Sequence, residues 1–311
     1  MELKCTREAY GQTLIELGKQ NPNIVVLCAD LSSSCKTNGF AKTFPDRFFN
    51  LGVAEANMMN TAAGLAVSGK TLFVSTFAIF ATGRVWEQVR NTVAYSGLNV
   101  KIVATHSGIS VGPDGSSHQA IEDIALMRVI PGMTVVIAVD ACETAKAVRA
   151  VAQWPGPVYL RLARLKMPVI TQPNDPFVIG QPNVLREGKD AVIIACGLMV
   201  AKALAAAEQL AQENISVSVL NLHTIKPLND KTIIAEAKKT GAVVTAEEHL
   251  VNGGMGSAVA ECLGQHYPVP IEMIGLKDQF GQSGDPEELL KFYHLTEKDI
   301  AAAAKKAINR K

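Results

Sequence analysis

The stretch VKIVATHSGISVGPDGSSHQ, residues 100–119, decides the fold class. It opens as a continuous apolar run and ends in a loop rich in Gly, Ser and His. Similar apolar runs recur through the first half of the chain, at 24–30, 48–52, 72–76, 134–140 and 158–162. Strands that are buried on both faces of a parallel sheet have this continuous pattern. The runs, including 100–106, therefore predict a parallel β-sheet.

Segments rich in Ala, Leu and Met separate the runs, and 55–68 and 141–152 are predicted helices. Four prolines between residues 168 and 182 then interrupt the pattern and predict a linker. The alternation resumes with predicted strands at 191–197, 217–222, 242–247 and 271–276, and with predicted helices at 200–212, 231–239 and 254–265. A last helix is expected from Thr296, where Thr296 and Asp299 have the spacing of a capping box. We therefore predict two doubly wound α/β domains, 1–165 and 183–311, joined by a linker at 166–182.

Composition excludes several classes of protein. Thirty basic and 29 acidic residues give a net charge of +1, so neither nucleic acid nor an anionic membrane is an expected partner. The longest charge-free apolar stretch, residues 191–201, is shorter than the roughly 18 residues that a spanning helix needs. No signal-peptide pattern is present, so we expect a cytoplasmic protein. The low charged fraction of 19% favours buried subunit interfaces, and six scattered cysteines without a Cys-x-x-Cys pair predict buried free thiols.

Functional side chains follow the predicted strands at their carboxyl ends, where ligands bind in open parallel sheets. Each has a purely structural alternative: a carboxylate can complement a helix dipole, aromatic and histidine side chains can belong to the core, and Pro-Asp-Gly can form a simple turn. Their concentration at one sheet edge favours a site. The candidates are Asp30, Ser34, Glu55, Phe77, Phe80, His106, Asp114, His118 and Arg164.

Seven motifs occur in an order that resembles the carboxyl-terminal half of transketolase. This resemblance implies a pyrimidine-binding domain with the thiamin diphosphate-binding fold, followed by a transketolase C-terminal domain. It also implies an enzyme that uses thiamine diphosphate and a divalent metal to move two-carbon ketol units between sugar phosphates. The motifs are LGVAEANM (51–58), STFAIF (75–80), THSGISVGPDGSSHQ (105–119), LARLKMP (162–168), HTIKPL (223–228), EEHLVNGGMGSAV (247–259) and FGQSGDPEEL (280–289).

The resemblance assigns the cofactor contacts. Glu55 matches the glutamate that protonates N1′ of the aminopyrimidine, so that the imino form can take the C2 proton. Phe77 is expected to stack on the pyrimidine with Phe80 beside it, and Asp30 to lie near the thiazolium ring. Many transketolases carry a further aromatic residue where this chain has Gly83, which alters the expected edge of the pocket.

The same resemblance assigns the substrate contacts. Arg7, Ser34, His106 and Arg164 match the residues that bind the phosphorylated sugar. Asp114 is expected to accept a hydrogen bond from a substrate hydroxyl, and His118 to contact the ketol oxygens as a catalytic residue. Arg164 is preferred to Arg161, because residues at odd spacing along a strand point to opposite faces. No residue is assigned to a metal.

One family motif is missing. Thiamine-diphosphate enzymes hold the diphosphate and metal with Gly-Asp-Gly and a later Asn, whereas the nearest string here is Gly284-Asp285-Pro286. We therefore expect a split transketolase in which a separate amino-terminal subunit holds the diphosphate and Mg²⁺. Two copies of this chain would combine with two copies of that subunit. The carboxyl-terminal domain, including its glycine loop at 253–256, is expected to add contacts without chemistry.

Three alternatives are open at this point. Deoxyxylulose-phosphate synthase shares the Asp-Gly-x-x-His element at 114–118, but typically has arginine at the position of His106. The beta subunit of a 2-oxoacid dehydrogenase has this size and architecture, and usually lacks that element. A non-catalytic scaffold or regulatory subunit would be expected to have lost Glu55 or the arginines at the strand ends.

Overall fold

The computed structural model describes residues 2–311 of the chain. The first part of the fold contains eight strands and five helices, together with 3₁₀ turns at Pro45–Arg47 and Ile109–Asp114 and π-helices at Phe80–Arg84 and Gln88–Ala94. In chain order the regular elements are β1 (Leu3–Cys5), α1 (Thr6–Gln20), β2 (Ile24–Cys28), α2 (Asn38–Thr43), β3 (Phe48–Asn50), α3 (Glu55–Val67), β4 (Thr71–Phe77), β5 (Val100–Thr105), α4 (Asp123–Arg128), β6 (Thr134–Ile137), α5 (Ala141–Gln153), β7 (Val158–Arg161) and β8 (Lys166–Pro168).

The second part of the fold alternates strands and helices and ends in two helices. Its elements are β9 (Asn183–Arg186), β10 (Ala191–Ala195), α6 (Met199–Gln212), β11 (Val217–Asn221), β12 (Thr224–Lys226), α7 (Asp230–Thr240), β13 (Val243–Leu250), α8 (Met255–His266), β14 (Ile271–Leu276), α9 (Pro286–Phe292) and α10 (Glu297–Ile308).

The larger sheet has seven strands in the order β12-β6-β7-β5-β4-β2-β3. All its neighbouring pairs are parallel except β12 with β6. The strands β2, β4, β5 and β7 are fully buried, which explains their continuous apolar sequences. The central order β2-β4-β5-β7 brings the loops that follow these four strands to one edge.

The smaller sheet has the order β14-β13-β10-β11-β9, with only β9 antiparallel. One hydrophobic cluster runs through both domains and includes Val74 and Ile102 of the first sheet and Leu220 and Val243 of the second. Strand β12 belongs by sequence to the second domain but pairs with β6 of the first sheet. The two domains therefore share an apolar core and a sheet edge.

The predicted α/β architecture with two mostly parallel sheets is confirmed, and most predicted strands appear with shorter ends. Two strands end early because Asp30 and His106 adopt φ of 58° and 57°, a left-handed conformation that a strand cannot contain. Thr296 caps α10, and the predicted capping box with Asp299 is present. All six cysteines are free, and only Cys142 is not buried.

Part of the linker prediction was wrong, because the segment 166–182 begins with a strand. Strand β8 pairs antiparallel with β1, and Asp140 Oδ2 accepts hydrogen bonds from the backbone N–H groups of Ile170 and Thr171 at 2.7 and 2.6 Å. The start of this segment is thus fixed to the first domain. Within residues 2–311, no helix combines the length and apolarity that a membrane crossing requires.

Candidate active site

The sequence-predicted site residues lie around the carboxyl ends of β2, β4, β5 and β7. Asp30 and Ser34 follow β2, Phe77 ends β4, and Arg164 follows β7. The loop after β5, residues 106–119, carries His106, Asp114 and His118, and is named the substrate loop for the contacts predicted for these three residues. Glu55 begins α3, after the edge strand β3.

Glu55 is a buried carboxylate in the first turn of α3, with 3% of its surface exposed. The Nη1 group of Arg84 donates to both carboxylate oxygens at 3.1 and 3.2 Å, while the Arg84 side chain is half exposed. The guanidinium also lies over the Phe80 ring, 4.6 Å from its centroid. Glu55 is therefore connected to the aromatic part of the site through Arg84.

Four rings form the centre of the site. Phe77 and Phe80 are nearly parallel, with centroids 6.0 Å apart, and His118 meets the edge of each ring. His106 stacks on Phe77 at 3.8 Å. Phe77 is almost fully buried, whereas Phe80 is partly exposed. Phe80 thus presents the more accessible aromatic surface.

His106 is buried in a left-handed backbone conformation, with φ of 57°. Its Nδ1 lies 2.9 Å from Thr105 Oγ1. Burial, and then the positive charges of Arg7 and Arg164 and the nearby His118, lower the pKa of His106 to about 3. The imidazole is therefore neutral near pH 7, and it can donate or accept a hydrogen bond to or from a ligand without carrying a charge.

The two arginines supply the positive charge of the site. Arg7 donates from Nη1 to Ser34 O at 2.8 Å and from Nη2 to Arg164 O at 2.9 Å; its buried Nε has no partner among residues 2–311. Arg164 donates to Val111 O at 2.6 Å, and its Nη2 lies 3.8 Å from Asp114 Oδ1. These contacts connect the loops after β2, β5 and β7. The result is a half-buried pair of guanidinium groups beside a neutral imidazole.

Asp30 lies at the β3 side of this edge. It pairs reciprocally with Asn50: its N–H donates to Asn50 Oδ1 at 2.9 Å, and its Oδ1 accepts from Asn50 Nδ2 at 3.1 Å. The Asp30 carboxylate is exposed and keeps acceptor capacity toward solvent.

Arg161 differs from Arg164 in being almost fully buried. It is buried behind the sheet edge, where its Nε donates to Asp123 Oδ2 at 2.7 Å. Tyr159 donates to the same Asp123 oxygen at 2.6 Å. These three side chains form a buried polar network at the junction of the domains.

The sequence analysis missed two residues that contact the candidate site. Arg84 follows Gly83, seven residues after Phe77, and its charge in an otherwise uncharged stretch is the signal that could have identified it. Glu248 lies in the EEHLVNGGMGSAV motif. Its Oε1 accepts a hydrogen bond from Ser110 N at 2.5 Å, and the two residues are 138 positions apart in the chain. No local pattern could have found that contact.

Comparisons with known proteins follow the same division of the chain. Residues 4–169 match the family model of the transketolase pyrimidine binding domain, and residues 180–300 match that of the transketolase C-terminal domain. A Methanocaldococcus jannaschii protein described as a transketolase C-terminal section is 49% identical over 96% of this chain and 94% of its own length.

Two further relatives match nearly end to end. The 6-deoxy-6-sulfo-D-fructose transketolase subunit SqwH of Clostridium sp. is 45% identical, covering 100% of this chain and 97% of its own. A solved structure described as a split gene transketolase, inactive beta4 tetramer, is 52% identical with a TM-score of 0.93 and covers 99% of both chains. The chain belongs to the transketolase family, whose pyrimidine-binding and C-terminal domains it contains.

Proposed function

We propose that this chain is the cofactor-activating subunit of a thiamine-diphosphate-dependent transketolase that moves a two-carbon ketol unit between ketose and aldose phosphates. The observation that carries the proposal is the buried Glu55 carboxylate, which Arg84 links to the Phe77–Phe80 pair, on the same sheet edge as Arg7 and Arg164. A buried carboxylate and an aromatic surface fit an aminopyrimidine, and the two guanidinium groups fit a tetrahedral anion.

The residues fit the pyrimidine half of the cofactor. Glu55 would hold a proton on N1′, and the partly exposed Phe80, rather than Phe77 alone, would offer a ring surface for stacking. Asp30 would face the thiazolium side. When bound, the cofactor supplies a nucleophilic carbon at C2, whose formation requires removal of a proton. Glu55 serves that requirement because a carboxyl group can share the N1′ proton and an amide cannot.

The arginine pair supports an anionic sugar as substrate. Arg7 and Arg164 would hold its phosphate, with Ser34 and the neutral His106 adding hydrogen bonds. Asp114, which faces Arg164, would accept from a sugar hydroxyl, and His118 would contact the ketol oxygens. A sulfonate is also a tetrahedral anion, so the relative named for 6-deoxy-6-sulfo-D-fructose supports a sulfonated ketose as a second candidate donor.

A partner chain would complete the site by holding the diphosphate and Mg²⁺. Residues 2–311 contain no group of three or more His, Cys, Asp or Glu side chains arranged to hold a metal. The proposal rests on the names of the relatives, which include a transketolase subunit and a split gene transketolase whose beta4 tetramer is inactive. We infer a closed assembly of two such partners with two copies of this chain.

Reconstitution tests the proposed function. Calorimetric titration with thiamine diphosphate and Mg²⁺ should detect weak or no binding to this chain alone, and ketol transfer from a ketose phosphate should be absent. Adding the diphosphate-binding subunit should restore both. Micromolar, Mg²⁺-dependent binding by this chain alone would contradict the division of the site. Formation of deoxyxylulose phosphate, or decarboxylation of a 2-oxoacid, by the reconstituted complex would favour one of the alternative enzymes.

A further inference from the structure

The substrate loop, residues 106–119, has a backbone that requires positive φ angles at four positions. Gly108, Gly112 and Gly115 adopt φ of 78–80°, and His106 adopts 57°. The 3₁₀ turn Ile109–Asp114 lies between Gly108 and Gly115, and its geometry is non-helical at Gly112. Glycine adopts a positive φ more readily than any other residue, and it is also the most flexible residue when nothing restrains it. Hydrogen bonds within the loop restrain it in part, and contacts from outside the loop add to them in fixing His106, Asp114 and His118 relative to the arginines.

The carboxyl-terminal domain supplies the first of these contacts through Glu248 on β13. Its Oε1 accepts a hydrogen bond from Ser110 N at 2.5 Å, in the middle of the substrate loop. The backbone approaches so closely that a Cβ on Gly108 would lie 2.4 Å from Glu248 Cδ. Glu248 is 3% exposed, and burial raises its pKa although Arg161 and the Ser110 N–H act in the opposite direction.

A second group of contacts comes from the segment before α9. Gln119 Nε2 donates to Gln282 O at 2.9 Å and also to two carbonyls within the substrate loop, those of Ile109 and Gly112. Ser283 Oγ donates to Pro113 O. A Cβ on Gly112 would lie 2.9 Å from Pro286 Cγ. The second domain thus contacts the middle and both sides of the loop.

The Glu248 backbone is itself fixed from the first domain. Arg161 Nη2 donates to Glu248 O at 3.0 Å, while Arg161 Nε is paired with the buried Asp123. Next to this position, Leu250 N donates to Ile121 O at 2.8 Å. The end of β13 is therefore held against the sheet that carries the site.

We propose that the carboxyl-terminal domain positions the substrate loop, with Glu248 as a positioning residue that acts through the Ser110 backbone. This assignment rests on the proposed function, since it concerns how the sugar phosphate is held, and it replaces the expectation that the domain adds contacts without a part in the chemistry. An acceptor at the position of Oε1 is what the loop requires, so the amide of Gln should serve nearly as well as the carboxylate.

The test compares Glu248→Ala and Glu248→Gln in the complex with the diphosphate-binding subunit. Glu248→Ala should lower kcat/KM for the sugar phosphates at least tenfold, while exchange of the cofactor C2 proton stays within twofold of wild type. Glu248→Gln should keep kcat/KM within about threefold of the wild-type value. Hydrogen-exchange mass spectrometry of this chain should show faster exchange in 106–119 in the Ala variant, with β4 unchanged.

Glu247→Ala is the matched control. Glu247 precedes Glu248 on β13, is equally buried, and also accepts backbone hydrogen bonds, but those come from Met255 and Gly256 in the first turn of α8. Glu247→Ala should leave kcat/KM within threefold of wild type. If Glu248→Ala does not fold, Ser283→Ala on the other side of the loop should lower kcat/KM two- to fivefold without changing C2 exchange.

Two results would overturn the proposal. One is unchanged kcat/KM in Glu248→Ala, or in Ser283→Ala where the first variant does not fold. The other is an equal loss in Glu247→Ala, which would show a general effect of loosening the domain. Both results concern kcat/KM and not the exchange of the cofactor C2 proton, so the positioning proposal can fail while the proposed function stands. Loss of ketol transfer and C2 exchange in the wild-type complex would instead contradict the proposed function.

Discussion

His106 should make the stability of this chain fall steeply in acid. Its pKa is lowered from 6.5 to about 3 by burial, and then by the charges of Arg7 and Arg164 and by His118. Between those two values the unfolded chain binds a proton that the folded chain excludes. The stabilising contribution is therefore complete above pH 6.5 and is lost as the pH falls toward 3. Between pH 6 and pH 4, the proton that the unfolded chain binds at this one group lowers the free energy of unfolding by roughly 2 to 3 kcal/mol.

The substitution His106→Asn isolates this effect, because Asn tolerates the left-handed φ of 57° and does not titrate. His294→Asn controls for the substitution itself, since His294 has φ of 56° at an exposed position. Urea unfolding of the wild type and both variants at half-unit pH steps gives the free energy of unfolding. The free energy of unfolding of the wild type minus that of His106→Asn should fall by roughly 2 to 3 kcal/mol from pH 6 to pH 4. His223, whose pKa burial lowers to about 4, contributes equally to both proteins and cancels.

A difference that stays constant between pH 6 and pH 4 would refute the reasoning, because His106 would then accept a proton in the folded chain as easily as in the unfolded one. In that case the imidazole would be a cation in mildly acidic solution, and Arg7 and Arg164 would not be the only positive charges of the proposed phosphate site.

Three further predictions concern ligands. Asp114→Ala should reduce the ratio of the kcat/KM values for two epimeric ketose phosphates at least tenfold. The reason is that the wrong epimer leaves unpaired the carboxylate that accepts a hydrogen bond from the hydroxyl of the right one. An unchanged ratio would exclude this specificity role. Arg84→Met should tighten thiamine diphosphate binding to the complex by about three- to tenfold, because Glu55 would no longer have to lose its hydrogen bonds from Arg84 when the cofactor binds. Weaker binding in calorimetry would mean that Arg84 helps to hold the cofactor. Arg164→Lys should raise KM at least tenfold for a phosphorylated acceptor and less than threefold for its unphosphorylated counterpart, because a lysine cannot make two parallel hydrogen bonds to a phosphate. An equal rise in KM for both acceptors would mean that the phosphate binds elsewhere.

Most strands of both sheets could be predicted from the sequence, because strands such as β2, β4, β5, β10 and β11 are fully buried and are therefore continuous apolar runs. Helix α1 could not, since its sequence contains Gly11 and Gly18, which lower helix propensity. Both glycines are required by packing: a Cβ would lie 2.3 Å from Lys36 O at the first and 2.6 Å from Phe40 Cε2 at the second. Long-range packing thus overrode the local signal.

The candidate site was predicted from residues that follow strands, and their meeting at one edge follows from sheet topology. The contacts between them were not predictable. The ion pair of Glu55 with Arg84 depends on a π-helix whose geometry no local pattern announced. The placement of β12 in the first sheet and the bond from Ser110 to Glu248 join positions far apart in the chain. Such contacts arise from the docking of two domains, which hydrophobic periodicity does not encode.

The most direct test of the central claim is the rate at which the C2 proton of bound thiamine diphosphate exchanges for deuterium in the complex. Glu55→Gln keeps the shape of the side chain but cannot hold a proton on N1′, so exchange should slow more than about 100-fold. Glu143→Gln is the control, since Glu143 is equally buried but bonds to Val139 and Asn221 outside the site. Its exchange rate should match wild type. An unchanged exchange rate in Glu55→Gln would contradict the assignment of cofactor activation to this chain.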